Sequence, residues 1–123
     1  MKVLVTGATG QVGRALASCV PPSVQLWATI RDQLNISDRT AVHAAVAAIE
    51  PDVIINAAAY TAVDMAESEP EEAEAANANG PRYLAEAARH LSTCRLLHIS
   101  SDYVFDGCST RPYRVHDKTS PIN

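Results

Sequence analysis

The chain has 123 residues, the length of one ordinary domain. Hydrophobic residues make up 47% and charged residues 20%, so we expect a globular chain with a packed core and not a disordered one. The net charge of −4 offers no basic surface, which argues against a nucleic-acid partner. No apolar run approaches the ~20 residues that cross a bilayer, and the N-terminal apolar run is too short for a signal peptide, so no membrane partner is expected.

The cysteine and histidine residues favour neither a disulfide framework nor a metal site. Cys19, Cys94 and Cys108 are odd in number and widely spaced, without a C-x-x-C pair. Free thiols in a reducing, cytoplasmic location fit this pattern best. The four histidines have no metal-ligand spacing, so no metal site is predicted.

The first half of the chain alternates short apolar runs with amphipathic stretches. Residues 2–6 predict a buried strand, and helical periodicity over residues 11–19 predicts a helix that Pro21-Pro22 ends. The apolar stripe of this helix consists of Val12, Ala15, Leu16 and Cys19. Residues 24–29 predict a second strand, and Asp38 is placed to cap a helix that runs to Pro51.

The second half continues the alternation. Residues 52–56 and 95–100 predict two more buried strands. Between them, residues 70–91 predict a helix that begins at Pro70 and has acidic residues in its first turn. The Gly80-Pro81 pair should weaken or kink this helix. Its apolar stripe consists of Ala73, Ala76, Gly80, Leu84, Ala87 or Ala88, and Leu91.

The resulting order of elements is β-α-β-α-β-α-β. Buried strands that alternate with helices predict a parallel sheet with helices on both faces. We therefore expect the α/β class and a Rossmann-like, doubly wound parallel sheet of about four strands. The tail from about Phe105 is rich in turn residues and is predicted to be an ordered loop.

A glycine-rich motif, TGATGQVG, directly follows the first predicted strand and opens the first helix. It places Gly7, Gly10 and Gly13 in the spacing G-x-x-G-x-x-G. Glycine permits the tight turn, lets backbone amides reach a pyrophosphate at the helix N-terminus, and allows the helix to pack closely on the strand. The motif predicts a dinucleotide cofactor; the alternative is a tight turn that binds nothing.

The loop after the second strand, TIRDQLN, bears on the choice between NADPH and NADH. Arg31 could pair with a 2′-phosphate, whereas Asp32 would oppose one. The pattern favours NADPH over NADH, although Arg31 read alone is also compatible with a plain surface residue.

Polar and small residues follow the third and fourth strands. The stretch NAAAYTAVDMAESEP begins at Asn56, and SSDYVFDG begins at Ser100. In an open parallel sheet, ligands bind at the carboxyl ends of the strands. The alanines at 57–59 would allow a cofactor to approach closely, or they serve ordinary tight packing.

Together, TGATGQVG, DVIINAAAYTAVDMAESEP, SSDYVFDG, RPY and SPIN resemble the dTDP-4-dehydrorhamnose reductases, a family of extended short-chain dehydrogenases/reductases. The resemblance covers essentially the whole chain, and the two longer rim motifs are its specific part. It implies reduction of the 4-keto group of dTDP-4-dehydro-L-rhamnose by NADPH (or NADH), which yields dTDP-L-rhamnose for cell-surface polysaccharide. A homodimer is compatible with it.

The resemblance also implies roles for individual residues. Ser101 would bind and polarise the sugar carbonyl and act as the catalytic residue of this segment. Asp102 and Tyr103 would contact the substrate. The implied cofactor contacts are Gly10, Gln11 and Val12 at the pyrophosphate, Asn35 and Ile36 at the adenine, and Ala58, Ala59, Tyr60 and Thr61 along the third-strand loop.

The chain departs from the family pattern at several positions. Asn35 replaces the usual Asp, Met65 a common Lys, and Ser101 the commoner Thr, which keeps the hydroxyl. Some members bind Mg²⁺ through an acid on the first helix, where this chain has Ala15, so Mg²⁺ is not expected here.

The family's catalytic Y-x-x-x-K pair would begin about two residues beyond Asn123. None of the four tyrosines in the chain has a lysine four residues later. General acid–base catalysis contributes roughly 10²–10⁴ in rate. We therefore expect a cofactor-binding domain over residues 1–123 that is truncated before this pair, lacks the substrate domain and is inactive alone. Truncation should leave an edge or face of the sheet uncovered, so we expect marginal stability or self-association.

Two alternatives to a reductase segment remain open. One is a non-catalytic NADP-binding regulatory module similar to the β subunit of methionine adenosyltransferase, which has a related SSDYVFDG-like stretch. The other is a decayed gene product. The run AAAYTAVDMAESEP favours the reductase.

Overall fold

The computed structural model describes residues 1–123, and it has four strands and five α-helices. In chain order these are β1 (Lys2–Thr6), α1 (Gln11–Ser18), β2 (Gln25–Thr29), α2 (Arg39–Ile49), β3 (Val53–Asn56), α3 (Val63–Ala66), α4 (Pro70–Glu74), α5 (Gly80–Arg89) and β4 (Arg95–His98). A π-helical turn at Ala75–Asn79 joins α4 to α5, and a 3-10 turn at Asp102–Val104 follows β4. The predicted strands are confirmed to within two residues at each end.

The four strands form one parallel sheet in the order β2-β1-β3-β4. The chain moves from β1 towards one edge and then crosses back to the other side of β1, so β1 and β3 flank the switch point. Their carboxyl ends are in register at Thr6 and Asn56. A crevice outside such a switch point is where open α/β sheets bind ligands.

The core lies between the sheet and the helices α2 and α5, which pack on each other over one face. Leu4 and Ile54 of the sheet are fully buried against it, as are Val42 and Leu84 of the two helices. The crossover from β1 to β2 runs across the sheet in the direction opposite to the crossovers that contain α2 and α5. Because such crossovers are right-handed, α1 lies on the other face of the sheet. The predicted Rossmann-like architecture with helices on both faces is therefore confirmed.

The apolar stripe predicted for α1 is not buried, and this expectation was wrong. Val12, Ala15 and Cys19 are exposed, Leu16 is half-buried, and Gly13 is the buried residue of the helix. The physical reason is that α1 packs mainly through its N-terminal turn, where Gly13 meets the backbone of Gly7 and Ala8, and otherwise contacts β2.

The helical region after Pro70 is distorted as predicted, but by a π-helical turn and not by a simple kink. Pro81 has no backbone N–H, so it cannot bond the carbonyl four residues earlier. The backbone N–H of Gly80 bonds the carbonyl of Ala75 instead, five residues back. The predicted stripe is confirmed at Gly80, Leu84, Ala87 and Ala88, which are buried.

One part of the sheet is left uncovered. On the face opposite the core, Ile55 is half-buried and its register partner Leu97 is exposed. Leu97 is 50% exposed and the neighbouring Ile99 is 42% exposed. The expected uncovered edge and face are thus present at β4. No helix of the structure is long and apolar enough to cross a membrane.

The tail after the 3-10 turn is an ordered loop, as predicted. Phe105 and Tyr113 stack with ring centroids 4.1 Å apart, and the Tyr113 hydroxyl donates to Asp106 at 2.9 Å. Arg111 forms two hydrogen bonds of 2.8 Å with the carboxylate of Asp117. These contacts hold the tail in one shape with little regular structure.

Candidate functional site at the carboxyl edge of the sheet

The glycine loop turns sharply between β1 and α1. Gly7 has a φ of +74°, and a Cβ there would lie 2.6 Å from the backbone nitrogen of Ala58. A Cβ on Gly13 would collide with the backbone of Gly7 and Ala8, so the predicted close packing at Gly13 is confirmed. The loop after β1 and the loop after β3 therefore touch backbone to backbone, which only glycine allows.

The N-terminus of α1 is left without a capping side chain. Gly10 is its N-cap residue, and no acidic residue stands in the first turn. By contrast, Asp38 caps α2 by accepting a 3.0 Å hydrogen bond from the Ala41 amide. The first amides of α1 therefore keep free donors and the positive end of the helix dipole, the features that bind phosphate groups.

The loop after β3 is held in place by a residue on the π-helical turn. The Asn77 side chain accepts a 2.8 Å hydrogen bond from the Tyr60 amide and donates a 3.0 Å bond to the Tyr60 carbonyl. The wider π turn presents Asn77 to this loop. Ala58 packs on the core, whereas Ala59 and Thr61 are exposed beside it.

Tyr60 itself is poorly suited to acid–base chemistry. Its hydroxyl donates a 2.6 Å hydrogen bond to Glu69, and this bond, with the nearby negative charge, raises the pKa of Tyr60 above its usual range. An acid–base group works best when its pKa lies near the operating pH. Tyr60 is therefore better placed to shape the loop than to transfer a proton.

The residues after β2 form the opposite end of the edge. Arg31 is exposed and lies 3.8 Å from Glu72, a loose surface ion pair that leaves the guanidinium free to move. The Asn35 side chain accepts a hydrogen bond from the Ser37 amide. Ile36 is buried in the core, against Gly80, so its side chain serves packing and only its backbone remains for a ligand.

The rim after β4 presents Ser101, Asp102 and Tyr103 to solvent. The Ser101 hydroxyl accepts a 3.1 Å hydrogen bond from the Tyr103 amide. It donates to Asp102 at 3.3 Å, which is long for an O–H donor, whose usual distance is about 2.7–2.8 Å. The hydroxyl proton can therefore be redirected to a carbonyl oxygen at small cost.

The sequence-predicted residues lie in one order along the carboxyl edge of the sheet. Arg31 follows β2, the glycine loop follows β1, the alanine loop follows β3, and Ser101 follows β4. No group of three or more His, Cys, Asp or Glu residues that could hold a metal ion is present.

Comparison with known proteins identifies the family. The family described as "RmlD substrate binding domain" matches residues 1–123. The chain belongs to this family. It is 43% identical to dTDP-4-dehydrorhamnose reductase of Sinorhizobium fredii over 123 residues, 100% of this chain and 41% of the relative. It is 48% identical to that of Streptomyces griseus over 119 residues, 96% of this chain and 39% of the relative.

A solved structure of the family agrees with the fold. The dTDP-4-dehydrorhamnose reductase of Bacillus anthracis, in complex with NADP, superposes with a TM-score of 0.95 at 36% identity. The match covers 99% of this chain and 44% of that one. The chain thus spans about two fifths of the length of the curated relatives it matches, and the resemblance inferred from the motifs is confirmed.

The sequence placed Asn56 at the carboxyl edge without giving it a role, and it gave no indication of Asn77. Asn56 is fully buried and bonds Thr6 and Ala58, and Asn77 bonds the backbone of Tyr60. Asn56 carried a signal, since an amide at the end of a buried apolar strand needs partners. Asn77 carried no such signal, because its partner Tyr60 is 17 residues away in the sequence. The π turn that presents Asn77 also has no periodic sequence pattern.

Proposed function

We propose that the chain is the cofactor-binding part of a dTDP-4-dehydrorhamnose reductase. It binds NADPH and forms one wall of the site in which the 4-keto group of dTDP-4-dehydro-L-rhamnose is reduced. The reaction is an NAD(P)H-dependent reduction of a nucleotide sugar, and it takes place in the cytoplasm. NADH is the alternative cofactor.

The observation that carries this proposal is the order of residues along the carboxyl edge. The order Arg31, glycine loop, alanine loop and Ser101 matches the order of parts in an extended NADPH, from the 2′-phosphate through the pyrophosphate to the nicotinamide. Family membership and the NADP in the relative's structure support the same assignment.

Each part of the edge has a defined role in this proposal. The uncapped first turn of α1, at Gly10, Gln11 and Val12, donates backbone hydrogen bonds to the pyrophosphate. The small residues after β3 form the floor under the nicotinamide ribose. Arg31 leaves its loose pair with Glu72 to bind the 2′-phosphate, where the charge-assisted bond is stronger.

Ser101 acts on the substrate. NADPH held in the crevice would supply the hydride for the sugar carbonyl carbon. The Ser101 hydroxyl donates a hydrogen bond to the carbonyl oxygen and so stabilises the negative charge that develops there. Asp102 accepts a hydrogen bond from the Ser101 hydroxyl in the resting state and, with Tyr103, lines the sugar side of the rim.

Fluorescence titration with NADPH and NADH tests the cofactor assignment. We expect NADPH to bind more tightly than NADH, and Arg31→Ala to weaken NADPH binding while NADH binding stays unchanged. Arg89→Ala, which removes an exposed cation from the far end of α5, is the matched control. Equal loss for both cofactors in Arg31→Ala would show that Arg31 does not bind the 2′-phosphate.

Turnover of dTDP-4-dehydro-L-rhamnose tests the activity of the 123-residue chain itself. None of its tyrosines has a lysine four residues later, and Glu69 raises the pKa of Tyr60. We therefore expect NADPH binding without measurable NADPH oxidation. Robust turnover would show that another group in the chain supplies the proton.

A further inference from the structure

A chain of hydrogen bonds crosses three strands at the carboxyl edge and ends at a titratable residue. The Thr6 hydroxyl donates to Asn56 Oδ1 at 2.6 Å, and the Ala58 amide donates to the same oxygen at 3.1 Å. Asn56 Nδ2 lies 3.0 Å from His98 Nδ1. Thr6 and Asn56 are 0% exposed, whereas His98 is exposed. A buried amide is thus coupled to a side chain that solvent can protonate.

The partners of Asn56 fix the direction of every bond in this chain. A backbone N–H can only donate, so the atom that faces Ala58 must be the amide oxygen. The amide nitrogen, which can only donate, therefore faces His98. His98 Nδ1 can pair with this amide nitrogen only as an acceptor, which requires the tautomer with its proton on Nε2.

We propose that His98 is a positioning residue whose protonation state controls the cofactor crevice through Asn56. When Nδ1 gains a proton, two donors face each other across 3.0 Å and the bond is lost. Asn56 then either keeps an unpaired buried N–H₂ group or turns, and turning removes the acceptor of Thr6 and Ala58. A buried polar group without a hydrogen-bond partner raises the free energy of the folded state, so both outcomes weaken the hydrogen bonds around Asn56.

The network acts on the crevice because Ala58 lies where two loops meet. The glycine loop packs on the backbone of Ala57 and Ala58, with room for no Cβ at Gly7. A shift of the Ala58 amide therefore moves the surface that receives the pyrophosphate and the nicotinamide ribose. Cofactor affinity should fall as the pH falls and His98 becomes protonated.

The other charged groups near β4 form no ion pair with His98. β3, beside His98, presents no titratable side chain. The titratable residues of α5, which packs on β4, are Arg82, Tyr83, Glu86 and Arg89. Glu86 is paired with Arg39, and His98 lies within ion-pair distance of no carboxylate. The remaining charged residue of β4 is Arg95, at the opposite end of the strand.

Long-range ¹H–¹⁵N NMR of the labelled chain tests the proposal without any cofactor. We expect the neutral His98 to carry its proton on Nε2. Between about pH 5 and 8, the range in which histidine changes charge, the Ala58 backbone amide and the Asn56 side-chain amide should shift with the same midpoint as His98. A proton on Nδ1 of the neutral ring, or an Ala58 amide that ignores the His98 titration, would overturn the proposal.

Variants separate positioning from simple packing. In His98→Asn the new amide oxygen can accept from Asn56 but does not titrate, so the pH-dependent shift of Ala58 should vanish while the fold is kept. His98→Ala should leave Asn56 unpaired at every pH. His116→Asn, at an exposed tail histidine, is the matched control and should behave as the unaltered chain. A pH-dependent Ala58 shift that persists in His98→Asn would contradict the proposal.

The cofactor measurement adds a readout that rests on the proposed function. In the unaltered chain and in His116→Asn, NADPH affinity should fall about threefold to tenfold as His98 becomes protonated, the effect of one lost hydrogen bond. His98→Asn should bind NADPH with the same affinity at both ends of the range. If NADPH binds at no pH, the proposed function is wrong, and the NMR titration still decides the role of His98.

Discussion

Single residues at the carboxyl edge decide how closely the backbone segments approach. Gly7 and Gly13 could be predicted from sequence because glycines at the end of a strand and the start of a helix have a local pattern. Asn77 could not, because it bonds a distant backbone segment. Ile36 was assigned to the adenine by resemblance, yet its side chain packs on Gly80 in the core. Local sequence patterns indicate where the backbone needs glycine. Hydrogen-bond and packing partners that are distant in the sequence are seen only in the folded chain.

Replacing Gly7 tests the contact between the two loops. Gly7→Ala should lower the free energy of unfolding by about 2–4 kcal/mol, from the left-handed φ and from the collision with Ala57 and Ala58. Gly107→Ala is the matched control, since its φ of +73° is almost the same but no atom lies within 4 Å of the added Cβ. Gly107→Ala should lower the free energy of unfolding by only about 1–2 kcal/mol. An equal loss of unfolding free energy in the two variants, measured by urea unfolding, would show that the close approach at Gly7 does not contribute to stability.

Replacing Asn77 tests the clamp on the loop after β3. Asn77→Ala removes both hydrogen bonds to the Tyr60 backbone and should lower the free energy of unfolding by about 1 kcal/mol. Hydrogen exchange at the Tyr60 amide should accelerate by more than at the core strands. Asn79→Ala, in the same π turn, is the control and should leave Tyr60 protected. Unchanged exchange at Tyr60 in Asn77→Ala would refute the clamp.

The elements follow from the sequence where their periodicity is local. All four strands, the cap at Asp38 and the helix start at Pro70 were predictable because apolar runs, capping residues and prolines act within a few residues. The π-helical turn was predictable only as a distortion at Gly80-Pro81. Its exact form depends on the Asn77 and Ile36 contacts, which lie outside the helix. The exposure of α1 depends on what else covers its face of the sheet.

The tail loop should resist acid because of its ion pair. Hydrogen bonds from Arg111 and the Arg114 amide lower the pKa of Asp117 from its usual value to about 2. A lowered carboxyl pKa stabilises the folded loop above the ordinary value of 3.8, and this contribution is lost as the pH falls towards about 2. In Arg111→Ala the pKa of Asp117 should move up towards 3.8, measured by NMR titration. An unchanged Asp117 titration in that variant would contradict the assignment to Arg111.

The whole molecule has a well-packed half and an exposed half. Core residues between the sheet and the α2–α5 layer are close to 0% exposed, whereas Leu97 and Ile99 on the opposite face are 50% and 42% exposed. The sequence predicted the number of strands and an uncovered edge or face. It did not predict which apolar residues would be exposed, since that depends on the register of β3 and β4.

The exposed face should make the chain self-associate. Contiguous apolar surface beside a free strand edge promotes contact between copies. Replacing Leu97 and Ile99 together by Thr should lower the fraction of oligomers in sedimentation velocity. The control replaces Val115 and Ile122 by Thr, since these residues are 92% and 79% exposed but lie in the tail. A monomer in every variant, with a sharp reversible thermal transition, would show that the face is harmless.

The most direct test of the central claim is NADPH binding by the chain and by Gly10→Asp. Gly10 is the N-cap residue of α1 with φ −71° and ψ 171°, a conformation that Asp adopts readily. The added Cβ would lie 3.3 Å from the Gly7 carbonyl oxygen, a close contact that offsets part of what the new carboxylate gains by capping the free amides of α1. The melting temperature should therefore stay near that of the unaltered chain while NADPH binding is lost. The unaltered chain should bind NADPH, and the folded Gly10→Asp variant should not. Absent binding to the unaltered chain, or equal binding to Gly10→Asp, would contradict it.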